Sequence, residues 1–396
     1  MFENIKFDFD EIIDRRDKNF LKWNVKENEL PMWVADMDFK SSPSIIEGIK
    51  KKARDGIFGY GNICDEWYSA YIKWWERRHD VNIKKEWLIF SNGVVPSISS
   101  IIRKLSSPGE NVLLQTPVYN IFFNCVLNNG RNVIENKLIY KKNNYFIDWD
   151  DLEKKLKDKQ TAMMILCNPH NPIGKIWSGK DLMKIGELCE KYNVILLSDE
   201  IHCDLVDLDC EYNSVMKLDN IFKKIGVALI SPTKAFNIAG LQTSAVVVEN
   251  DFLHHKIWRG LNTDEVAEPN IFAVDAVINA FDNLVSEKWL DSVRRYIFEN
   301  KKIAGEFIKN KIPEIYLIES QATYLIWLDC EKILCARNKK NNLCEFIKNT
   351  SGLCLSDGKI FGGNGENFLR MNVACPKKIL LDGLNRLKKS IFEYMN

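Results

Sequence analysis

A lysine in the middle of the chain follows a short apolar run. Residues 227–230 are bounded by turn signals, which predicts a buried strand of a parallel sheet, and Lys234 comes just after them. Ligands of open α/β sheets bind beyond the carboxyl ends of the strands. Desolvation at such a place lowers the pKa of an amine and favours nucleophilic chemistry. Taken alone, however, the pattern equally describes a surface lysine that follows a strand.

Three other apolar runs also end in polar or aromatic side chains. They cover residues 111–115, 162–167 and 194–198, and they lead to Tyr119, Asn171 and Asp199, with His202 just beyond. Because parallel strands end at the same edge of a sheet, we expect a phenol, an amide and a carboxylate beside the lysine. This set suits a flat, charged heterocycle that bears an aldehyde and a phosphate. Pyridoxal phosphate (PLP) takes a lysine and an acidic partner for its pyridine nitrogen.

A candidate phosphate cradle lies earlier in the chain. Residues 88–90 predict a strand, Gly93 follows, and residues 94–105 predict a helix that begins at Val94 and Val95. Glycine lets backbone amides approach a ligand, and a helix N-terminus favours an anion. An ordinary strand–helix turn has the same pattern, so the cradle depends on the polar residues downstream.

The order of these motifs resembles the fold-type I PLP-dependent enzymes of the aminotransferase superfamily. The motifs are Asn-Pro-x-Gly at residues 171–174, Asp-Glu-x-His at 199–202, and Ser-x-x-Lys at 231–234 with a glycine at 240. Within that superfamily, residues 31–39, 93–96 and 234–242 resemble the MalY/PatB-type cysteine C–S β-lyases, which include cystathionine β-lyases and cystalysin. The resemblance runs from Trp33 to Arg370, and its motifs are specific only in combination.

The resemblance implies roles in cofactor chemistry. Lys234 holds PLP covalently and then removes the α-proton of the substrate, Asp199 keeps the pyridine nitrogen protonated, and Asn171 contacts the ring oxygen and the substrate. Tyr119 stacks on the ring or assists proton transfer, and His202 touches the ring edge. The phosphate is bound by the amides of the first helical turn and by two hydroxyls; these residues are Val94, Val95, Ser231 and Thr233.

Substrate binding and assembly are implied in the same way. Arg370 offers a planar fork for the α-carboxylate of an amino acid. Trp33 forms a wall beside the substrate side chain, and Tyr60 reaches the phosphate of the neighbouring subunit in a homodimer. Structural roles remain open for these residues: a helix cap or turn for Asp199, a turn for Asn171 and Tyr60, core packing for Tyr119, a satisfied structural histidine for His202, an inter-strand ion pair for Arg370, and arm packing for Trp33.

The alternation of strand and helix patterns predicts an α/β fold. We expect the PLP-dependent transferase fold of type I, with a mostly parallel, helix-covered sheet in a large PLP-binding domain of residues 48–285. Residues 286–396 predict a smaller α+β domain that the N-terminal arm, residues 1–47, completes. A long helix over residues 286–311 links the two, and a short charged helix is expected over residues 11–15.

Composition excludes several classes of partner. The 396 residues contain 55 Lys and Arg against 54 Asp and Glu, so no overall charge favours nucleic acid or an anionic membrane. None of the 11 cysteines forms a Cys-x-x-Cys pair, which favours reduced thiols and a cytoplasmic location. We expect no metal, no signal peptide and no membrane span.

The expected reaction is β-elimination from L-cystathionine or another S-substituted L-cysteine, giving a thiol, pyruvate and ammonia, as in methionine biosynthesis. A true PLP-dependent aminotransferase (class I/II) is the alternative. Most aminotransferases of the superfamily carry an arginine where this chain has Gln242, which favours the lyases. MalY-like proteins can also bind a transcription regulator, which the sequence leaves open.

Residues 199–202 also resemble a helicase Asp-Glu-x-His box. A nucleoside triphosphatase additionally requires a Gly-x-x-x-x-Gly-Lys-Ser/Thr phosphate loop. Here Gly174 and Lys175 are followed by Ile176, and Pro169 stands at the position of the first glycine. The nucleotide-driven motor is therefore excluded.

Overall fold

The fold is described from a computed structural model, which describes residues 6–337 and 342–396. The strands, in chain order, are β1 (Leu30–Pro31), β2 (Leu88–Ser91), β3 (Asn111–Thr116), β4 (Asn132–Lys137), β5 (Ile139–Lys141), β6 (Asn144–Phe146), β7 (Thr161–Cys167), β8 (Ile195–Asp199), β9 (Gly226–Ile230), β10 (Ser244–Val247), β11 (Tyr316–Leu317), β12 (Leu325–Asp329), β13 (Leu353–Cys354), β14 (Ser356–Asp357) and β15 (Phe368–Asn372).

The α-helices surround these strands. They are α1 (Pro43–Arg54), α2 (Asp65–His79), α3 (Val94–Leu105), α4 (Ile121–Leu127), α5 (Trp149–Leu156), α6 (Gly179–Lys191), α7 (Asn220–Ile225), α8 (Asp251–Thr263), α9 (Ile271–Phe281), α10 (Leu284–Lys311), α11 (Glu331–Arg337), α12 (Leu343–Ser351) and α13 (Lys377–Met395).

A seven-stranded sheet organises the first part of the chain. Its order is β2-β10-β9-β8-β7-β3-β4, and every neighbouring pair is parallel except the two pairs that involve β10. Alternate residues of the strands enter two different hydrophobic clusters. In β9, for example, Val227 and Leu229 join one cluster, whereas Ala228 and Ile230 join the other. The sheet is therefore covered by helices on both faces, as its apolar runs predict.

The second part of the chain forms a smaller, antiparallel sheet. Its order is β11-β12-β15-β14, and the two-stranded pair β1-β13 lies in the same hydrophobic cluster. Because β1 belongs to the N-terminal arm, the arm packs with C-terminal elements. The exact domain boundaries at residues 48 and 285 stay a prediction.

Helix α10 connects the two hydrophobic cores. Trp289 and Val293, in its first half, pack in the core of the large sheet, whereas Ala304 and Ile308 pack with the small sheet. The helix spans 28 residues, so at 1.5 Å per residue it is about 42 Å long. It links the two parts as the sequence predicts.

The prediction of a short helix over residues 11–15 is wrong. The carboxylate of Asp8 accepts the backbone N–H groups of Asp10 and Glu11, and that of Asp14 accepts the N–H of Arg16. Such local bonds compete with helical ones, and residues 11–15 form neither a helix nor a strand, with turns beginning at residue 16. Residues 1–5 of the predicted arm lie outside the described residues, as do residues 338–341 of the predicted small domain.

Helices long and apolar enough to span a bilayer are absent from the part of the chain that the structure describes.

Candidate active site

A cavity of about 230 Å³ lies at the carboxyl ends of the parallel strands. Strands β3, β7, β8 and β9 each lead into a loop that contributes to its wall, because parallel strands end at one edge of the sheet. Eight of the residues predicted for the site line this cavity: Val94, Val95, Tyr119, Asn171, Asp199, His202, Thr233 and Lys234.

Lys234 follows β9 and extends its amine to a backbone carbonyl. The Nζ atom donates a hydrogen bond to the carbonyl oxygen of Ala35 at 2.8 Å. Removal from bulk water lowers the pKa of the amine; the charges of Asp36 and Asp199 oppose this effect, and that of Arg370 adds to it. The amine is thus biased toward its neutral, nucleophilic form.

Asp199 ends β8 as a buried carboxylic acid. Burial raises its pKa to about 7, although the Ile201 N–H, 3.1 Å from Oδ1, and the charge of Lys234 act in the opposite direction. Among the described residues it forms no ion pair, so the cavity has room for a cation beside it. A protonated pyridine nitrogen, an N–H donor with positive charge, fits this requirement.

His202 lies beside the same cavity as a neutral imidazole. Burial lowers its pKa to about 3, and the positive charges of Lys234, Arg370 and Lys301 lower it further. Its Nδ1 atom is buried and has no partner in the described residues. The ring meets Tyr324 edge to face, with 6.0 Å between centroids. An uncharged ring edge is therefore available to a planar ligand.

Arg370 lies in β15, buried and without an acidic partner in the described residues. Its Nη1 atom donates to Oδ1 of Asn171 at 3.1 Å, and Nη2 donates to the carbonyl oxygen of Trp33 at 3.0 Å and to Oγ of Ser356 at 3.4 Å. The guanidinium also lies 4.8 Å from the ring centroid of Phe361.

The electrostatics of Arg370 favour an anionic ligand. Burial lowers its pKa to about 10, while Tyr119 and Tyr324 act to raise it. The predicted alternative, an inter-strand ion pair, is wrong for the described residues, because only neutral oxygens accept from this group. A buried guanidinium of this kind suits the carboxylate of a ligand.

The N-terminus of α3 also lines the cavity. Gly93, the N-cap, has φ of +144° and ψ of 161°, and no side chain caps the helix. The first amide groups of α3 are therefore free for an anion. Gln242 and Thr243 also line this region, and the buried Oγ1 of Thr243 has no partner in the described residues. These groups fit a phosphate.

Tyr119 is a buried phenol in the cavity wall. Burial raises its pKa to about 12, against the charge of Arg370, so the hydroxyl stays protonated. Its ring meets Phe122 edge to face at 5.6 Å. Both the stacking role and the packing role predicted for it are compatible with this position.

Three predicted residues, Ser231, Trp33 and Tyr60, are not among the residues that line the cavity. The hydroxyl of Ser231 is committed to the carbonyl oxygen of Thr243, at 2.7 Å, and to Oγ1 of Thr233, at 2.8 Å. Trp33 reaches Arg370 through its backbone. Tyr60 is 97% exposed and does not line the cavity of its own chain. Their cofactor and substrate roles stay predictions.

Sequence reasoning missed several groups in the small-sheet part of the site. Tyr324 donates from its hydroxyl to the carbonyl oxygen of Ala35 at 2.9 Å, and Asn372 binds the same segment through Val34 and Asp36. Asn372 lies two positions after Arg370 on β15, and that spacing was the available signal, since alternate residues of a strand share a face.

One other cluster carries potential metal ligands. His79, Cys203 and Asp204 bring one ligand atom each to within 4.8 Å of one another, outside the cavity. The Asp204 Oδ1 atom already accepts from Trp74 at 3.0 Å and lies 2.9 Å from His79 Nε2, and the positive charge of Arg78 acts on it. This arrangement is satisfied without an ion.

The sheet topology, the strand-end lysine and the uncapped N-terminus of α3 are typical of α/β enzymes that hold a cofactor at the carboxyl edge of the sheet. The family model for aminotransferase class I and II matches residues 28–387, so the chain belongs to that family.

Two relatives match over almost their whole length. The chain is 36% identical to cystathionine beta-lyase PatB of Bacillus subtilis, over 97% of this chain and 99% of that protein. It is 29% identical to protein MalY of Escherichia coli, again over 97% and 99%. The alignment is therefore essentially full length in both.

Two solved structures have the same fold as this chain over 98% of its length. Cystalysin from Treponema denticola, which contains PLP, has a TM-score of 0.93 and 31% identity, covering 98% of this chain and all of that one. A PLP-bound putative aminotransferase from Clostridium difficile also scores 0.93, with 35% identity and the same coverage. The expected fold class is confirmed.

Proposed function

We propose that the chain is a PLP-dependent carbon–sulfur β-lyase. Its substrates are L-cystathionine or other S-substituted L-cysteines, and its products are a thiol, pyruvate and ammonia. One observation carries the proposal: a single cavity is lined by Lys234, the buried acid of Asp199 and Asn171, and the guanidinium of Arg370, which no described acid neutralises, donates to the Asn171 side chain at 3.1 Å. The names of PatB and cystalysin support the lyase chemistry.

The cavity residues suit PLP in particular. Lys234 would bind it covalently, Asp199 would hold its pyridine nitrogen protonated, and Asn171 would donate to its ring oxygen. The N-terminus of α3 and Thr233 would bind its phosphate. When bound, PLP supplies an electron-accepting ring that stabilises negative charge at the α-carbon of the substrate.

Different side chains of the protein then bind the substrate and remove its α-proton. Arg370 binds the α-carboxylate with two parallel N–H donors, and the oxygens of Asn171 and Trp33 fix the orientation of its guanidinium. Lys234, once its amine is free, takes the α-proton on Nζ. The sulfur on the β-carbon leaves with the electron pair of the carbon–sulfur bond and takes up a proton to become the thiol. The remaining fragment is released as 2-aminoacrylate, which takes up one water molecule in solution to give pyruvate and ammonia.

We extend the proposal to the oligomeric state, the cellular location and the metabolic role of the enzyme. A homodimer would place Tyr60 at the phosphate of the neighbouring subunit; its support is the exposure of Ile57, Phe58 and Tyr60 in one loop of a single chain. All 11 cysteines are free, which supports a cytoplasmic enzyme of sulfur amino acid metabolism, such as methionine biosynthesis.

Aminotransfer is the second candidate, because the family model covers aminotransferases and the same residues serve both reactions. Gln242 lines the cavity at the position where most superfamily aminotransferases have an arginine. That feature favours elimination. A transaminase additionally requires a 2-oxo acid to accept the amino group.

One assay separates these candidates. We expect the enzyme to convert L-cystathionine steadily to pyruvate and a free thiol without any added 2-oxo acid, and the Lys234→Ala variant to show no turnover. If one amino group per active site is consumed and the reaction resumes only when a 2-oxo acid is added, the protein is an aminotransferase.

A further inference from the structure

A segment of the N-terminal arm, residues 33–39, passes between Lys234 and the small sheet; we call it the arm segment. The side-chain amide of Asn372 donates to the carbonyl oxygens of Val34 and Asp36, both at 2.6 Å. Its own Oδ1 atom accepts the N–H of Ala374 at 2.7 Å, which orients the amide toward the arm segment. Asn372 is therefore a clamp with both hydrogens engaged.

The clamp determines where the Ala35 carbonyl points. The N–H of Asp36 donates to the carbonyl oxygen of Val34 at 3.0 Å, and that oxygen lies on the side of Asn372. A trans peptide unit is planar, so its C=O points opposite to its N–H. The Ala35 carbonyl, in the same peptide unit as the Asp36 N–H, thus points away from Asn372 and accepts from Lys234.

This carbonyl is the acceptor that the structure gives to the lysine amine. Among the described residues, no second hydrogen-bond acceptor for Lys234 Nζ is found. The carbonyl also accepts from the hydroxyl of Tyr324, which is fully buried. A carbonyl oxygen has two lone pairs, so both donors can bind at once.

We propose that Asn372 is a positioning residue for Lys234, acting through the Ala35 carbonyl. The inference rests on the proposed function and deepens it: when the lysine amine takes the α-proton, it becomes an ammonium group. An acceptor already aimed at Nζ stabilises that ammonium and directs the amine while it is neutral. Asn372 holds the acceptor in place from the other side of the arm segment.

The titration of Lys234 can report on this bond. The groups that face its amine are Asp36, Asp199, Arg370, His202 and Tyr324. Replacing Asn372 by alanine changes none of their charges, since both residues are neutral. A change in the titration of Lys234 would therefore come from the position of the carbonyl rather than from a lost charge.

The test uses the full-length protein freed of cofactor, so its readout does not depend on catalysis. Each variant is acetylated across a range of pH, and the modified Lys234 peptide is quantified by mass spectrometry. In Asn372→Ala we expect the midpoint for Lys234 to move to lower pH, because the ammonium form loses its acceptor. Below the midpoint, labelling should be about tenfold faster, the scale of one hydrogen bond to a charged group.

Asn300→Ala is the matched control. Asn300 is equally buried, and its amide also bridges two alternate carbonyls, those of Val373 and Cys375, both at 2.9 Å. It makes no hydrogen bond to the arm segment itself and supports only the backbone on either side of Ala374, so this variant should lose stability and shift the Lys234 midpoint much less than Asn372→Ala does. Tyr324→Phe should leave the Lys234 midpoint equal to or higher than that of the native protein. This variant frees a lone pair of the Ala35 carbonyl oxygen and leaves the Asn372 clamp intact.

Asn372→Ser covers the case in which the alanine variant does not fold. Its hydroxyl can donate to one of the two carbonyls, so a smaller shift in the same direction is expected. An unchanged midpoint in a folded Asn372 variant, or an equal shift in Asn300→Ala, overturns the inference. A shifted midpoint in a protein that produces no pyruvate from L-cystathionine would instead overturn the proposed function alone.

With the cofactor bound, the same variants distinguish a positioning role of Asn372 from a purely structural one. Asn372→Ala should lower kcat about tenfold, with a smaller change in KM, and raise the isotope effect of an α-deuterated substrate, since proton removal becomes slower. Equal losses in Asn300→Ala, or no change in the isotope effect, would contradict the positioning role.

Discussion

Two ionisable groups of the candidate site are buried and form no ion pair with any residue that the structure describes. Asp199 has its pKa raised to about 7, and Arg370 has its pKa lowered to about 10, in each case chiefly by burial. Burial of an uncompensated charge is unfavourable in a free protein. In a binding site, a ligand of opposite charge offsets this cost when it binds. Lys234, on whose amine both charges act, is the group that we propose to react.

Asp199→Asn should stabilise the cofactor-free protein at alkaline pH. The folded-state pKa of about 7 lies above the ordinary value of 3.8, so folding favours the protonated acid. Stability is therefore lost as pH rises from about 4 to 7, and asparagine does not suffer this loss. At pH 8 we expect a gain on the order of 4 kcal/mol, measured by urea unfolding at fixed protein concentration.

Asp204→Asn is a control for which the expected change in the free energy of unfolding has the opposite sign. Burial opposes ionisation of Asp204, but His79 and Arg78 hold its pKa below the ordinary value. Its ionised form therefore stabilises the fold at neutral pH, and the variant should be less stable there. A gain in Asp199→Asn that stays constant from pH 4 to pH 8 would argue against a titrating Asp199.

Arg370→Ala should weaken amino acid binding by roughly 2–5 kcal/mol, the usual cost of truncating one partner of a buried charge pair. Arg370→Lys should recover only part of this, because a point charge cannot reproduce the planar fork. The measurement is the dissociation constant of a non-reactive amino acid. Arg294→Ala removes a similarly buried arginine that is paired with Asp291, at 3.0 Å, and should leave that constant unchanged. Native affinity in both Arg370 variants would refute the assignment.

At the scale of elements, the strand ends were predictable and the contacts between distant segments were not. The apolar runs of β3, β7, β8 and β9 are continuous, so the polar residues that end them could be found in order. Tyr324 lies just before β12 in no pattern that singles it out, and Asn372 could be found only from its spacing to Arg370 on β15. Both residues act on backbone carbonyls of the arm segment. A carbonyl has no sequence signature, and the arm segment meets these residues only after folding.

The N-terminus of α3 provides the prediction at this scale. Gly93 has φ of +144°, a region that is essentially restricted to glycine, so alanine there introduces strain of about 1–3 kcal/mol or turns the first amides of the helix away. We expect Gly93→Ala to bind PLP about tenfold more weakly, as measured by absorbance titration of the cofactor-free protein.

Gly109→Ala serves as its control. Gly109 also has a positive φ, +85°, and an added Cβ would meet no heavy atom within 4 Å. It lies outside the cavity lining, so its variant should lose stability and retain native cofactor affinity. Equal loss of affinity in both glycine variants would show that the effect is global and would reject a specific phosphate cradle.

At the scale of the molecule, the cavity depends on both hydrophobic cores. Helix α10 spans them, and the arm segment joins the two parts through Lys234 on one side and Asn372 on the other. The substrate-binding guanidinium proposed at Arg370 comes from the small sheet, whereas the amine comes from the large one. The loop that carries Tyr60 also exposes the apolar side chains of Ile57 and Phe58 in the single chain.

Mixing two inactive variants tests whether that loop completes the site of a second copy. In a hybrid of Tyr60→Ala and Lys234→Ala subunits, one site combines the native Lys234 of the first with the native Tyr60 of the second. Random exchange makes half of the dimers hybrids, each with one intact site of two, so about a quarter of native activity should return. A mixture of Tyr60→Ala with the Tyr60→Ala, Lys234→Ala double variant has no intact site and should remain inactive. Subunit exchange is followed with differently tagged chains, because proven exchange without recovery of activity would place Tyr60 outside its neighbour's site.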